Sequence, residues 1–416
     1  MTEAAATAAR AAERAARESY GRLLAFLAAR TRDVAGAEDA LAEAFAAALA
    51  SWPVDGVPDN PSAWLLTVAR RRQTDHLRRG RTRRSALDHL RLVAEELEAA
   101  ASDPVAIPDR RLALMFACAH PGMPGDMRAP LILQTILGLT AVEIAAAFLI
   151  PPATMSQRLV RAKARIRDAG IPFRIPDRSE LASRLDAVLG AIYAAYSRSW
   201  NEIGTAGASS LALEAIWLSR LVVSLLPKEP EAKGLLALML HAEARKPARR
   251  DPSGAFVPLD RQDTALWNLP LFEEAEAILR EANASGPTGR YQIEAAIQSA
   301  HTIGRLAGET NWQAIVALYD HLAAITGSPV VILNRAVALA NIAGPAAALK
   351  AVAAMRDDTR MKSYQPYWAA LAHLNAETGH IAEAHEAMTI AIGLSSDPAV
   401  AQYLRNRLDA LPGSGC

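Results

Sequence analysis

The chain has little of what small-molecule chemistry and secreted folds require. Only two cysteines, Cys118 and Cys416, occur in 416 residues. No disulfide framework is available, and a reducing compartment fits. The nine histidines are scattered, and no Cys/His or His/acid spacing suits a metal ion. Glycine-rich phosphate loops and nucleophile elbows are also missing, so neither a cofactor, a metal nor an enzyme is expected. No uncharged apolar run approaches the ~18 residues of a membrane span. The opening Met-Thr-Glu-Ala-Ala-Ala lacks the apolar core of a signal peptide. A cytoplasmic protein with no membrane partner is the expectation. Aromatics make up 5% of the chain while alanine and leucine dominate, which favours helices over sheet.

The length is enough for about three domains, and 51% hydrophobic residues can fill their cores. The net charge of +1 hides an asymmetry. Through Arg174 the chain carries 24 Lys and Arg against 19 Asp and Glu, and the remainder carries 21 against 25. A basic first part and an acidic second part suggest that only the first meets nucleic acid.

The stretch Leu139–Asp168 reads as two short helices with a tight turn. Thr140 is a natural N-cap, and Glu143 three residues later completes a capping box. Val142, Ile144, Ala145 and Phe148 follow a helical period, and Pro151-Pro152 suits a new helix start. The second helix is expected to bury Met155, Leu159 and Ala162. Its other face carries Thr154, Ser156, Gln157, Arg158, Arg161, Lys163, Arg165 and Arg167. Hydrogen-bonding groups at the start and cations along the length suit a helix-turn-helix whose second helix enters a major groove. An ordinary basic amphipathic helix is the alternative.

Before it, Tyr20, Leu23, Leu24 and Leu27 form one apolar stripe, and Leu41, Phe45 and Leu49 form another. The face opposite the second stripe shows Glu38, Asp39 and Glu43, either solvated or a docking surface. Trp52–Pro61 is a loop by its proline and glycine content. Ser62 is expected to cap a helix through Trp64 and Leu65. Eight arginines in the fifteen residues Arg70–Arg84, against the single acid Asp75, exceed an ordinary solvated face. With Trp64 they suit contact with phosphates and an unstacked base. Residues 87–108 read as a polar linker. Helices broken at Pro121–Gly125 follow, with Leu112, Phe116, Leu131 and Ile136 among the core residues, and Cys118 and His120 as packing residues.

The segments Ala37-Glu-Asp-Ala-Leu-Ala-Glu-Ala-Phe45, Ala63-Trp-Leu-Leu-Thr-Val-Ala-Arg70 and Thr74-Asp-His-Leu-Arg-Arg79 resemble region 2 of bacterial sigma factors of the extracytoplasmic-function type. Leu139-Thr-Ala-Val-Glu-Ile-Ala145 and Thr154–Arg167 are similar to that family's region 4. The order fits, with no region 3 between. The resemblance implies that Glu38, Asp39 and Glu43 meet the β′ clamp helices of RNA polymerase core. Region 4 would meet the β flap. The loop Pro53–Pro61, with Asp59 and Asn60, would capture a flipped −10 base. Trp64, Arg71, Arg72, Arg78 and Arg79 would hold the melted strand. Thr154, Ser156, Gln157, Arg158, Arg161, Lys163 and Arg165 would read the −35 element.

Beyond the proline-bounded joint Ile171–Pro176, helical patterns continue. Pro366-Tyr-Trp368, Leu371, Ala372, Gly379, Ala384, Met388 and Ala391 follow tetratricopeptide spacing, and Gly344 lies 35 residues before Gly379. A stack of helical hairpins with room for a protein or peptide partner is expected, against a non-repetitive bundle. Between Leu181 and Leu279 the repeat is degenerate. There Arg245-Lys-Pro-Ala-Arg-Arg-Asp251 and Asp260-Arg-Gln-Asp-Thr-Ala-Leu-Trp267 flank a loop that reads as a packed interdomain latch or a ligand site. These segments resemble the long C-terminal extension of one sigma-factor subgroup. The expected organisation is all-α: region 2 over 1–86, linker 87–108, region 4 over 109–172, and a regulatory helical-repeat domain over 177–416. The rival is a repeat scaffold or helix-turn-helix regulator acting without polymerase core.

Overall fold

The computed structural model describes residues 34–78, 109–168, 176–201 and 206–412, with isolated helical residues between 7 and 27. The fold is all-α. Among the described residues, pairing of β type is confined to one antiparallel bridge between Arg250 and Phe256. The chain divides into two compact units, Met1–Arg198 and Ser199–Cys416.

In the first unit α1 (Val34–Asp55) and α2 (Pro61–Arg78) pack on each other. Ala37, Ala40, Leu41, Ala44, Ala48 and Trp52 of α1 are buried, as are Leu65 and Ala69 of α2. The i, i+3/i+4 spacing of small residues forms one stripe, and Leu23, Leu24 and Leu27 complete the core. Leu49, expected inward, lies at the stripe's edge and is 52% exposed. The expected loop at Trp52 begins only after Asp55, because α1 continues through Pro53. The carbonyl that loses its donor there belongs to exposed Leu49, where water substitutes. Trp52 is buried edge-to-face against Trp64 at 5.4 Å. Asn60 rather than Ser62 caps α2, accepting from the Ala63 amide at 3.0 Å.

Next come α3 (Arg110–Cys118), α4 (Gly125–Thr135), α5 (Ala141–Ala147) and α6 (Pro152–Asp168). Asp109 caps α3 through the Arg111 and Leu112 amides. Residues 112–119 are all buried, Cys118 among them. His120 instead sits in the turn, its ring accepting from the Gly122 amide at 3.0 Å. The unit ends with α7 (Leu185–Asn201), whose last turn holds the division.

In the second unit, α8 (Ala206–Leu225), α9 (Pro230–Arg245), α10 (Leu269–Ser285), α11 (Arg290–Ala307), α12 (Trp312–Thr326), α13 (Pro329–Ala343), α14 (Pro345–Ala353), α15 (Gln365–Glu377), α16 (Ile381–Leu394) and α17 (Pro398–Asp409) follow. Each packs on the next. Prolines open α9, α13, α14, α15 and α17, where a missing amide hydrogen costs nothing. Ala372, Ala384, Met388 and Ala391 are buried as tetratricopeptide spacing requires. The stretch expected to be degenerate is also helical. Its α9 is buried from Gly234 through His241, so it lacks the polar face that makes a repeat legible. Gly234 permits a close crossing: a Cβ there would lie 2.6 Å from the Gln292 amide nitrogen.

Candidate nucleic-acid interface

The helix-turn-helix is set by local chemistry. Thr140 and Glu143 form the expected capping box, with the Thr140 amide donating to Glu143 at 2.6 Å. Burial pushes the Glu143 carboxyl up, but the Thr140 amide and hydroxyl and the Arg198 guanidinium outweigh it and hold it below its ordinary value. Ile144 and Ala145 face inward, whereas Val142 and Phe148 are exposed. The turn passes through Leu149 at φ +51°, a left-handed conformation that bulky residues rarely adopt.

Met155, Leu159 and Ala162 are buried, which fixes the roll of α6. The seven candidate −35 residues then separate. Ser156, Gln157, Arg161 and Arg165 are exposed, and Arg161 donates to Gln157 at 3.4 Å. Thr154 is half-buried. Arg158 pairs with Asp126 in the first turn of α4 at 3.3 Å. Lys163 turns away from this strip and pairs with Glu38 of α1 at 2.6 Å.

The candidate polymerase-facing acids are therefore not equivalent. Glu38 is held by Lys163, Asp39 is exposed, and Glu43 lies 3.5 Å from Arg72. Tyr20 lies beside this face, and burial, Glu38 and Asp39 push its hydroxyl up to about 12. The Cys118 thiol is likewise pushed up to about 12, chiefly by burial, which leaves it a packing group rather than a nucleophile.

On α2, Arg71 and Arg72 are exposed, while Arg70 lies over the Phe26 ring at 4.4 Å. Asp59 and Asn60 are exposed before the helix, and Trp64 is half-buried on Trp52. The Arg78 side chain, Arg79, the arginines through Arg84 and the linker 87–108 lie outside the described residues. Among the described residues, no three His, Cys, Asp or Glu side chains gather to hold a metal ion. No described helix is long and apolar enough to cross a membrane.

Two contacts carried no sequence signal. Arg184 is 1% exposed and donates to the Phe116 carbonyl at 3.1 Å and to Glu180 at 3.0 Å. Arg198 pairs with Glu143 at 2.6 Å. Both ends of α7 are thereby fastened to the α3–α6 module.

A paired acidic and basic helix hairpin followed by a capped helix-turn-helix is the layout of a sigma-factor-like protein. Residues 16–84 match the Sigma-70 region 2 family, a transcription-factor domain rather than a catalytic one. Its presence supports binding of RNA polymerase and recognition of promoters. Residues 184–283 match a family of unknown function, DUF6596. An uncharacterized protein of Rhizobium meliloti (strain 1021) is 39% identical over 401 residues, which is 95% of this chain and 93% of that protein. The chain belongs to the same family as that protein. No solved structure matches it.

Proposed function

We propose that the protein is a sigma factor of the extracytoplasmic-function type whose C-terminal helical stack regulates it in cis. In this reading Glu38, Asp39 and Glu43 dock on the β′ clamp helices. Asp59, Asn60 and the arginines of α2 take the −10 strand. Ser156, Gln157, Arg161 and Arg165 enter the major groove at −35, and region 4 rests on the β flap. The observation that carries the reading is the region 2 match, followed in order by a capped helix-turn-helix with an exposed polar and cationic strip on α6. Two modest DNA contacts held on one polymerase reinforce each other as linked sites do.

Promoter-dependent transcription with purified core tests it. The full chain should direct initiation, and Asp39→Arg with Glu43→Arg should abolish core binding. Gln157→Ala with Arg161→Ala should leave core binding intact but weaken −35 recognition, each lost base contact costing about 1–3 kcal/mol. A full chain that neither binds core nor initiates returns the protein to the repeat-regulator class.

A further inference from the structure

The loop between α9 and α10 leaves its own hairpin and runs to the far end of the stack. Arg250 pairs with Asp397, the N-cap of α17, across 147 residues of sequence. Phe256 packs edge-to-face on Tyr403 of α17, ring centroids 5.4 Å apart. On the way the Gln262 carbonyl accepts from Arg305 of α11 at 3.2 Å. Asp260 acts on the ring of His373 in α15, against burial and Arg407, which hold that ring below its ordinary value. The loop therefore meets α11 and α17, with Asp260 in electrostatic range of α15, and these are alternate members of the run. In stacked hairpins these form one row, the face where such proteins take extended partners.

The pair that does the reaching is pre-built. Arg250 and Phe256 oppose each other across the antiparallel bridge, so both side chains leave one face of a tight turn. One Asp251 carboxylate oxygen accepts from the Ser253 amide at 2.8 Å, its hydroxyl at 2.6 Å and the Ala255 amide at 2.9 Å. Gly254, at φ +85°, closes the turn. At the receiving end the two oxygens of Asp397 divide the work. One accepts from the Ala399 amide at 2.9 Å, and the other takes Arg250. Residues 251–255 are exposed, and the ion-paired side chains keep 17% and 18% of their surface. A partly exposed ion pair and one ring contact are each weak fastenings.

We infer that the Asp397–Tyr403 end of the stack is a peptide-recognition site for an arginine and an aromatic presented side by side on a turn. Residues 250–256 occupy it in cis and give way to a partner segment carrying the same pair. The inference does not depend on the first unit being a sigma factor. Tethering places the loop at an effective concentration on the order of millimolar, so a free peptide competes poorly until the loop is released.

The test uses the full chain. Arg250→Ala with Phe256→Ala should free the loop, so that hydrogen exchange rises across 247–258 while α15–α17 stay protected. A labelled peptide of residues 246–258 should then bind at least ~10-fold more tightly than to the unmodified chain. Adding Asp397→Lys should remove that binding. Three results overturn the inference. Loop exchange could stay unchanged in the double variant. Protection could be lost across α15–α17 together with the loop, which would make it a structural staple. The peptide could also bind released and unreleased chains equally or not at all.

Discussion

Replacing Arg184 by methionine removes one guanidinium and keeps most of the stem. The Phe116 carbonyl lies in the last turn of α3, among the carbonyls that a helix leaves without an internal donor. Arg184 supplies a charged donor there from a site 1% exposed. Glu180, 31% exposed, recovers water when its partner goes. The buried carbonyl does not, so the loss is that of a charged hydrogen bond, about 2–3 kcal/mol. At about 1.4 kcal/mol per factor of ten, α3 amides that exchange through opening of this module should exchange roughly 30- to 150-fold faster. Hydrogen-exchange mass spectrometry on the full chain reads this directly. A change below about threefold in α3 would refute the claim that α7 holds the α3–α6 module together. The same contact bears on truncations. A chain ending at Pro176 discards Arg184 and Arg198, so its loss of activity would report a damaged helix-turn-helix. A chain ending at Asn201 keeps both contacts.

Three further outcomes are expected. Lys163→Ala frees Glu38 and should tighten core binding a few-fold, since a half-buried pair is worth about 1 kcal/mol, while −35 recognition stays unchanged; equilibrium titration with labelled core checks the first effect. Thr140→Ala should cost about 1 kcal/mol of helix-turn-helix stability, seen as faster exchange in α5. In the second unit, burial and then Arg245 push His241 from 6.5 down to about 4, so the folded state holds it neutral. Its contribution is intact above pH 6.5 and is lost as pH falls toward 4, by up to about 3 kcal/mol. Urea melts followed at α9 and α11 should lose less between pH 7 and 4.5 in His241→Gln than in the unmodified chain.

Short-range chemistry was legible in the sequence. The capping box and the inward Met155, Leu159 and Ala162 rest on neighbours within a few turns. Proline content misled at Trp52–Pro61, because burial of Trp52 against Trp64 carries α1 past Pro53. The contacts that change the reading of the site were invisible. Glu38 meets Lys163 across 125 residues and Arg184 meets Phe116 across 68, and no periodicity marks which of many charges will pair. The residues of the charged loop 245–267 suit an interdomain latch and a ligand site equally. Its contacts to α17 latch it within the second unit and not between domains.

That latch also acts as a ruler. A simple stack of hairpins can gain or lose one without disturbing the others, which is how repeat arrays change length. Here a segment fixed at Arg245 must still reach Asp397. One inserted hairpin would carry Asp397 out of range, and one deleted hairpin would leave slack. Only a stack of this length therefore lets residues 250–256 dock on its last helix.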